Sequence, residues 1–315
     1  MKWDYQYDDR KLLAIADAEG CLKLVQLETD PSIHLKEVNN LLIDSNDAIN
    51  LNLDWNDKVN SSLPKQIVCS LSNGKIATVN FAESDLVVDK IWYGHEFDYV
   101  YTPAEVWSVS YNPNNTNIVL SGADDTYLKM WDLRMELYDF QKNRPVMMNR
   151  SHSAGVCTQS WHPCIEHCFC TGSYDGFIRI FDDRNFISPV MEFENGGGIW
   201  RLKWRTTMLN TDIDKQTTNN QLLVAGMRAG FNIIDVDLNG YESIVGKSKS
   251  ENNSRMKRLC QYMKQGGEEL AYGVDWLDYD GYVHSTGHYD PNEAMVGSSA
   301  FYSHLLHVWK YSKQD

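Results

Sequence analysis

The sequence predicts an all-β fold, a β-propeller assembled from repeated blades. Three observations predict it. A unit of three short strands separated by turn residues recurs in register; helical periodicity is scarce; and the units are spaced as blades of about 40 to 50 residues require. The clearest copy covers residues 155–184. Val156–Trp161 is its first strand, 167–172 its second and Phe177–Asp182 its third, with His162-Pro163 and Tyr174-Asp175-Gly176 as the turns.

The register is testable by arithmetic. Fifty positions upstream, Pro113, Gly122, Asp125, Trp131 and Arg134 fall under Pro163, Gly172, Asp175, Phe181 and Arg184. Moving 43 positions downstream aligns 198–204 with the first strand, and 54 positions aligns 225–235 with the rest, leaving 11 inserted residues. A further copy joins Tyr272 to Trp276 with Ser299 to Trp309 across an insertion of 13, and earlier copies end at Trp55 then Val79, and at Trp3 then Val25. Six units result, over residues 1–27, 48–81, 105–134, 155–184, 198–236 and 271–311, within one domain. Trp3, Trp55, Trp161, Trp204 and Trp276 share one repeating core position.

Taken in order, Met1-Lys2-Trp3 opens inside a strand, and the last unit ends close to Asp315, so a seventh, N-terminal blade is expected to be missing. Residues 28–47 read as a polar connector with 41–43 as an outer strand, Asn73-Gly74 as a hairpin turn, and 85–92 as another outer strand. A long loop, 95–105, precedes Val106, and 135–150 bridges to His152. Residues 205–220 read as a surface insertion, and 246–267, rich in Lys and Arg, as a solvated loop or short helix.

Composition bounds the function. At 315 residues and 43% hydrophobic content the chain can bury a large core. Its net charge of −14 argues against a nucleic-acid partner and suits a basic or cationic one. No apolar run reaches membrane-spanning length, no signal peptide is recognisable, and an odd count of seven cysteines fits a reducing, cytoplasmic setting. Cys164, Cys168 and Cys170 with His162 and His167 resemble a metal cluster, but alternation along a strand reads as packing, so neither metal nor cofactor is expected. The protein reads as a monomer.

Gly94-His95 ahead of one unit and Trp131-Asp132 closing it resemble WD repeats, in which a loop His, a turn Asp and a third-strand Trp are bonded together. His95, Asp125 and Trp131 fit that role, and His152 with Asp175 fits part of it. A narrower resemblance rests on SHSAGVC (151–157), TGSYDGFIRIFDDRN (171–185), GGGIWRLKW (196–204), AGMRAGFNI (225–233), YGVDW (272–276) and SAFYSHLLHVW (299–309). These segments are similar to the WD-repeat diphthine methyl ester hydrolases, also called diphthine methyltransferases. The resemblance implies hydrolysis of a methyl ester on the modified histidine of translation elongation factor 2, releasing methanol before the amidation that yields diphthamide. It also implies a further blade ahead of Met1.

Ester hydrolysis needs a base, a nucleophile or activated water, and donors for the oxyanion. No G-x-S-x-G elbow is present. The catalytic candidates are His152, Ser153 and Cys157, with Glu194 nearby in the same class of loop. Gly196, Gly197 and Gly198 could present backbone N–H groups, or could simply make a turn. For the trimethylammonium of diphthine, Trp107 and Trp200 are the cage candidates and Glu105 and Asp275 the charged ones, against packing or a solvated rim as the plain alternative. A non-catalytic interaction scaffold, the common use of such propellers, is the competing class.

Overall fold

Short runs of alternating apolar and polar residues ended by Gly, Asn or Pro make short antiparallel strands, and these dominate the computed structural model. It describes residues 1–4, 11–30, 32–45, 47–56, 64–82, 85–136, 144–205, 220–263, 270–277, 293–302 and 306–312. The 205–220 insertion lies almost wholly outside them. The chain divides into two compact units, Met1–Gln159 and Ser160–Asp315.

The first unit begins with the sheet β1 (Lys2–Trp3), β2 (Leu12–Ala16), β3 (Cys21–Glu28) and β4 (His34–Leu42). The second sheet is β5 (Asn50–Trp55), β6 (Gln66–Leu71), β7 (Lys75–Ala82) and β8 (Asp85–Tyr93). The third is β9 (Val106–Tyr111), β10 (Ile118–Ala123), β11 (Leu128–Asp132) and β12 (Met147–Asn149). A fourth sheet orders β13 (Val156–Trp161), β14 (Cys168–Ser173), β15 (Phe177–Asp182) and β16 (Met191–Glu194). In the second unit the fifth sheet is β17 (Arg201–Trp204), β18 (Gln221–Ala225), β19 (Phe231–Val236) and β20 (Met256–Tyr262), with α1 (Tyr241–Val245) and α2 (Lys249–Asn252) ahead of β20. The sixth has three strands, β21 (Ala271–Trp276), β22 (Glu293–Ala300) and β23 (Leu306–Ser312). Each is an antiparallel meander, and together they are six blades of a β-propeller fold.

The outer strands correct three expectations. The connector after residue 28 holds a nine-residue strand, β4, rather than a short run at 41–43. The 135–150 bridge contains β12, and the basic stretch after 246 contains both α2 and β20. Three of its charges are paired: Lys249 bonds Glu192 at 2.6 Å, Arg255 bonds Asp237 at 2.9 Å, and Arg258 donates to the Asn195 carbonyl at 2.6 Å. Lys264 lies outside the described residues.

The tryptophans at the ends of the first strands explain how blades are joined. Trp55, fully buried, donates its indole N–H to the Lys2 carbonyl at 3.1 Å. Trp204 donates to Ser160 at 3.2 Å and Trp276 to Lys203 at 3.1 Å. In these three cases the acceptor is the residue just before the tryptophan of the preceding blade. Side chains repeat the pattern, since Lys2 pairs with Asp54 at 2.9 Å and Lys203 with Asp275 at 2.8 Å. In the third blade Tyr111 takes the aromatic position; its hydroxyl donates to Gln66 and its amide to the buried Asp54, both at 2.9 Å.

Behind these bonds lies apolar packing. In the first unit Leu22, Leu24, Leu53, Trp55, Ile67 and Val79 form one buried cluster. In the second, Cys168, Cys170, Ile178 and Ile180 pack with Leu202, Trp204 and Leu222. Each such side chain contributes about 1.5 to 3 kcal/mol on burial.

Candidate functional site

Several polar residues singled out from the sequence brace the fold. His95 Nδ1 lies 2.8 Å from an Asp125 oxygen and its Nε2 lies 2.7 Å from Ser121 Oγ, which in turn accepts the Trp131 indole N–H at 2.8 Å. All four side chains are buried. Burial, partly opposed by Asp125, holds the His95 imidazole below its ordinary range, so it stays neutral. Burial pushes Asp125 up, but His95, Lys129 and the Tyr127 amide together bring its carboxyl below the usual value. A carboxylate only accepts, so Nδ1–H donates to Asp125 and Nε2 accepts from the Ser121 hydroxyl. Blade six repeats the serine–indole part, with Trp309 donating to Ser298 at 3.1 Å. Ser121 and Ser298 are members of this bracing that sequence reading missed. Asp175 is gripped by Arg179 at 2.8 Å.

The cysteine–histidine group serves packing and turns. His162 Nδ1 accepts the amides of Cys164 (3.1 Å) and Ile165 (2.9 Å), while Nε2 meets Asn220 at 3.0 Å. Fifty residues earlier Asn112 Oδ1 accepts the amides of Asn114 and Asn115 in the same way. Burial lowers His162 to about 4, and raises the Cys168 thiol to about 12.

In the first unit three loops meet at one rim. Trp107 is the bulged residue of β9, standing where the register with β10 shifts. Its indole N–H donates to Asp124 Oδ1 at 2.7 Å, and the Asp124 amide donates to the Glu105 carbonyl at 3.1 Å. The carboxyl of Glu105 is raised by burial and by the neighbouring charge of Asp124. Gly155 closes over Asp124; a Cβ there would sit 2.5 Å from Oδ1. That contact brings the loop carrying His152 and Ser153 to Glu105 and Trp107. His152 is buried and Ser153 exposed, while the buried Cys157 thiol points to the Gly155 carbonyl at 3.5 Å. Asp124, not singled out from the sequence, ties this rim together.

In the second unit the three glycines have tight steric reasons. Gly196 has φ +87, and a Cβ on Gly197 would lie 2.9 Å from both the Ala229 amide nitrogen and the Gly226 carbonyl oxygen. Gly198 abuts Met227 Sδ and Tyr174. Two residues on, Trp200 packs at a tilt against Tyr272, centroids 4.8 Å apart; Tyr272 meets Phe301 at 5.3 Å and Phe301 meets Tyr302 at 5.2 Å. Tyr272 occupies in β21 the position that Trp107 and Trp200 occupy in their blades, again at a shift of register. Asp275 stands three residues further along β21, about 10 Å away by strand rise, and Lys203 engages it.

The matches to known proteins follow this geometry. Residues 90–132 and 143–182 match the family described as "WD domain, G-beta repeat", and the first stretch contains the whole His95–Asp125–Ser121–Trp131 relay. The "Diphthine methyltransferase homolog" of Dictyostelium discoideum is 28% identical over 98% of this chain and 75% of its own. The "Diphthine methyltransferase" of Mus musculus is 31% identical over 88% of this chain. The chain carries WD repeats and over most of its length is similar to proteins named diphthine methyltransferase. It spans about half of the mouse protein (52%) and of the human protein (55%), the latter being 28% identical over 88% of this chain. Among solved structures, a chain of "Crystal Structure of Mitotic Checkpoint Complex" aligns with a TM-score of 0.63 at 14% identity, over 96% of this chain and 74% of its own; it supports the fold alone. Among the described residues, no helix is long and apolar enough to cross a membrane.

Proposed function

We propose that this protein hydrolyses the methyl ester of diphthine on translation elongation factor 2, releasing methanol, as a step of diphthamide biosynthesis in the cytoplasm. The observation that carries this reading is the homology over 98% of the chain to a protein named for diphthine. In this reading His152 acts as base, taking the proton of a water as it adds to the ester carbonyl, or of the Ser153 or Cys157 side chain, whose acyl intermediate a water then hydrolyses to the carboxylate. Backbone N–H groups stabilise the oxyanion, and collapse returns the proton to the departing methoxide, which leaves as methanol. The trimethylammonium is held on an aromatic face, that of Trp107 beside the Glu105 carboxyl or that of Trp200. Asp275, engaged by Lys203, is left out of the reading.

The test is incubation of the purified protein with elongation factor 2 bearing the methylated intermediate, following methanol release and the mass of the modified histidine. Methanol with a carboxylate product supports the hydrolase, and His152→Ala should then slow turnover by about a hundredfold or more. Binding without turnover would leave an interaction scaffold, and a gain of methyl groups from an added donor would leave a transferase.

A further inference from the structure

At the ends of blades five and six two exposed aromatic rings stand in front of two half-buried ones, in a row outside the apolar core cluster. Phe301 and Tyr302 are 56% and 63% exposed, and their planes cross at 88°. Behind them stand Tyr272, tilted 35° to Phe301, and Trp200, tilted 47° to Tyr272. The backbone is shaped to hold this row. Tyr272 sits at the shift of register between Ala271 and Gly273, which turns its side chain out of the regular alternation. A Cβ on Gly273 would lie 2.3 Å from Ser299 Oγ, so glycine lets β22 come close enough to bring Phe301 alongside. The Phe301 amide donates to the Leu270 carbonyl at 3.2 Å, tying the turn after β22 to the start of β21.

We infer that this corner is a binding site for a quaternary ammonium group. Contiguous exposed aromatic surface marks a recognition site. Two π-faces set at right angles suit a round, methylated cation better than a flat apolar side chain, which fits between parallel walls. A quaternary ammonium brings no N–H donor, so rings rather than hydrogen-bond acceptors are its natural partners. The net charge of −14 favours approach of a cation. The inference rests on the proposed function for the physiological cation, the trimethylammonium of diphthine, and adds Tyr272, Phe301 and Tyr302 to Trp200 as the residues that hold it.

The site is tested without the reaction. Choline and its neutral isostere 3,3-dimethylbutan-1-ol are titrated into the intact protein, following the N-methyl or tert-butyl proton shift and tryptophan fluorescence. Choline should bind saturably with upfield-shifted methyls, the isostere should bind roughly tenfold more weakly, and Tyr302→Leu and Phe301→Leu should each weaken choline about fivefold. Phe301→Trp should retain binding, and unchanged thermal midpoints exclude misfolding as the cause. Equal affinity for the isostere, no saturable binding, or variants that bind choline unchanged would overturn the inference. In the ester assay, Phe301→Leu and Tyr302→Leu should raise KM and leave kcat. Methanol release with an unmoved KM sinks the cation site and leaves the hydrolase; choline binding without methanol release does the reverse.

Discussion

Ser121→Ala is the sharpest probe of the relay inside blade three. The substitution removes a single oxygen that accepts the Trp131 indole N–H at 2.8 Å and donates to His95 Nε2 at 2.7 Å. All three residues are buried, so no water replaces the lost partner without opening the blade. Leaving a buried donor or acceptor unsatisfied costs about 1 to 3 kcal/mol, and two are stranded here, so the expected loss is about 3 kcal/mol. Ser298→Ala in blade six removes one partner from the half-buried Trp309 and should cost only about 1 kcal/mol. Urea unfolding of both variants gives the comparison. A cycle of Ser121→Ala with Trp131→Phe should show coupling of about 1 kcal/mol, because either change breaks the same bond. A Ser121→Ala loss under about 0.5 kcal/mol, or one equal to that of Ser298→Ala, would mean that the relay is not a cooperative brace.

Acid should loosen the protein through its depressed histidines. His162 is lowered to about 4, below its unfolded value of about 6.5, so as pH falls between the two the unfolded chain gains a proton that the folded chain refuses. Stability is therefore present above about 6.5 and lost towards 4, by at most about 3 kcal/mol. His162→Asn, which restores the Asn112 arrangement, should reduce this loss when unfolding midpoints at pH 7.5 and 5 are compared. Gly155→Ala places a methyl group against Asp124 and should displace the Trp107 brace, costing about 1 to 3 kcal/mol, readable as a shift in tryptophan emission together with a lower unfolding midpoint. The two Lys–Asp pairs should differ in chemical denaturation. Asp275→Asn, at an exposed pair, should cost less than about 1 kcal/mol. Asp54→Ala should cost about 3 kcal/mol, because the buried carboxylate also holds the Tyr111 amide.

The inner parts of the blades were legible because their residues are constrained on several counts at once. Val156–Trp161 and Phe177–Asp182 fall where glycine, proline and aromatic spacing put them. Among the outer strands β8 was legible at 85–92, whereas β4 and β12, largely exposed, and β20, mostly half-buried, carry little of the alternation that burial imposes. At the rim, repeat position pointed to Trp107 and Trp200. Tyr272, at the same place in the repeat, was hidden because the residues around it differ in chemistry. The Asp275 partner could not be read at all, for Lys203 lies 72 residues away and is brought near by blade packing.

The indole bonds between blades have a direction. At Trp55, Trp204 and Trp276 the donor belongs to the later strand, and the acceptor is a main-chain oxygen already made when that strand emerges. Any amino acid offers such an oxygen, which is why lysine, serine and lysine serve equally well at the receiving place while tryptophan recurs at the giving one. Substitution should consequently be tolerated on one side of each joint and punished on the other, and a blade added at the carboxyl end of such an array would need to bring only its own indole.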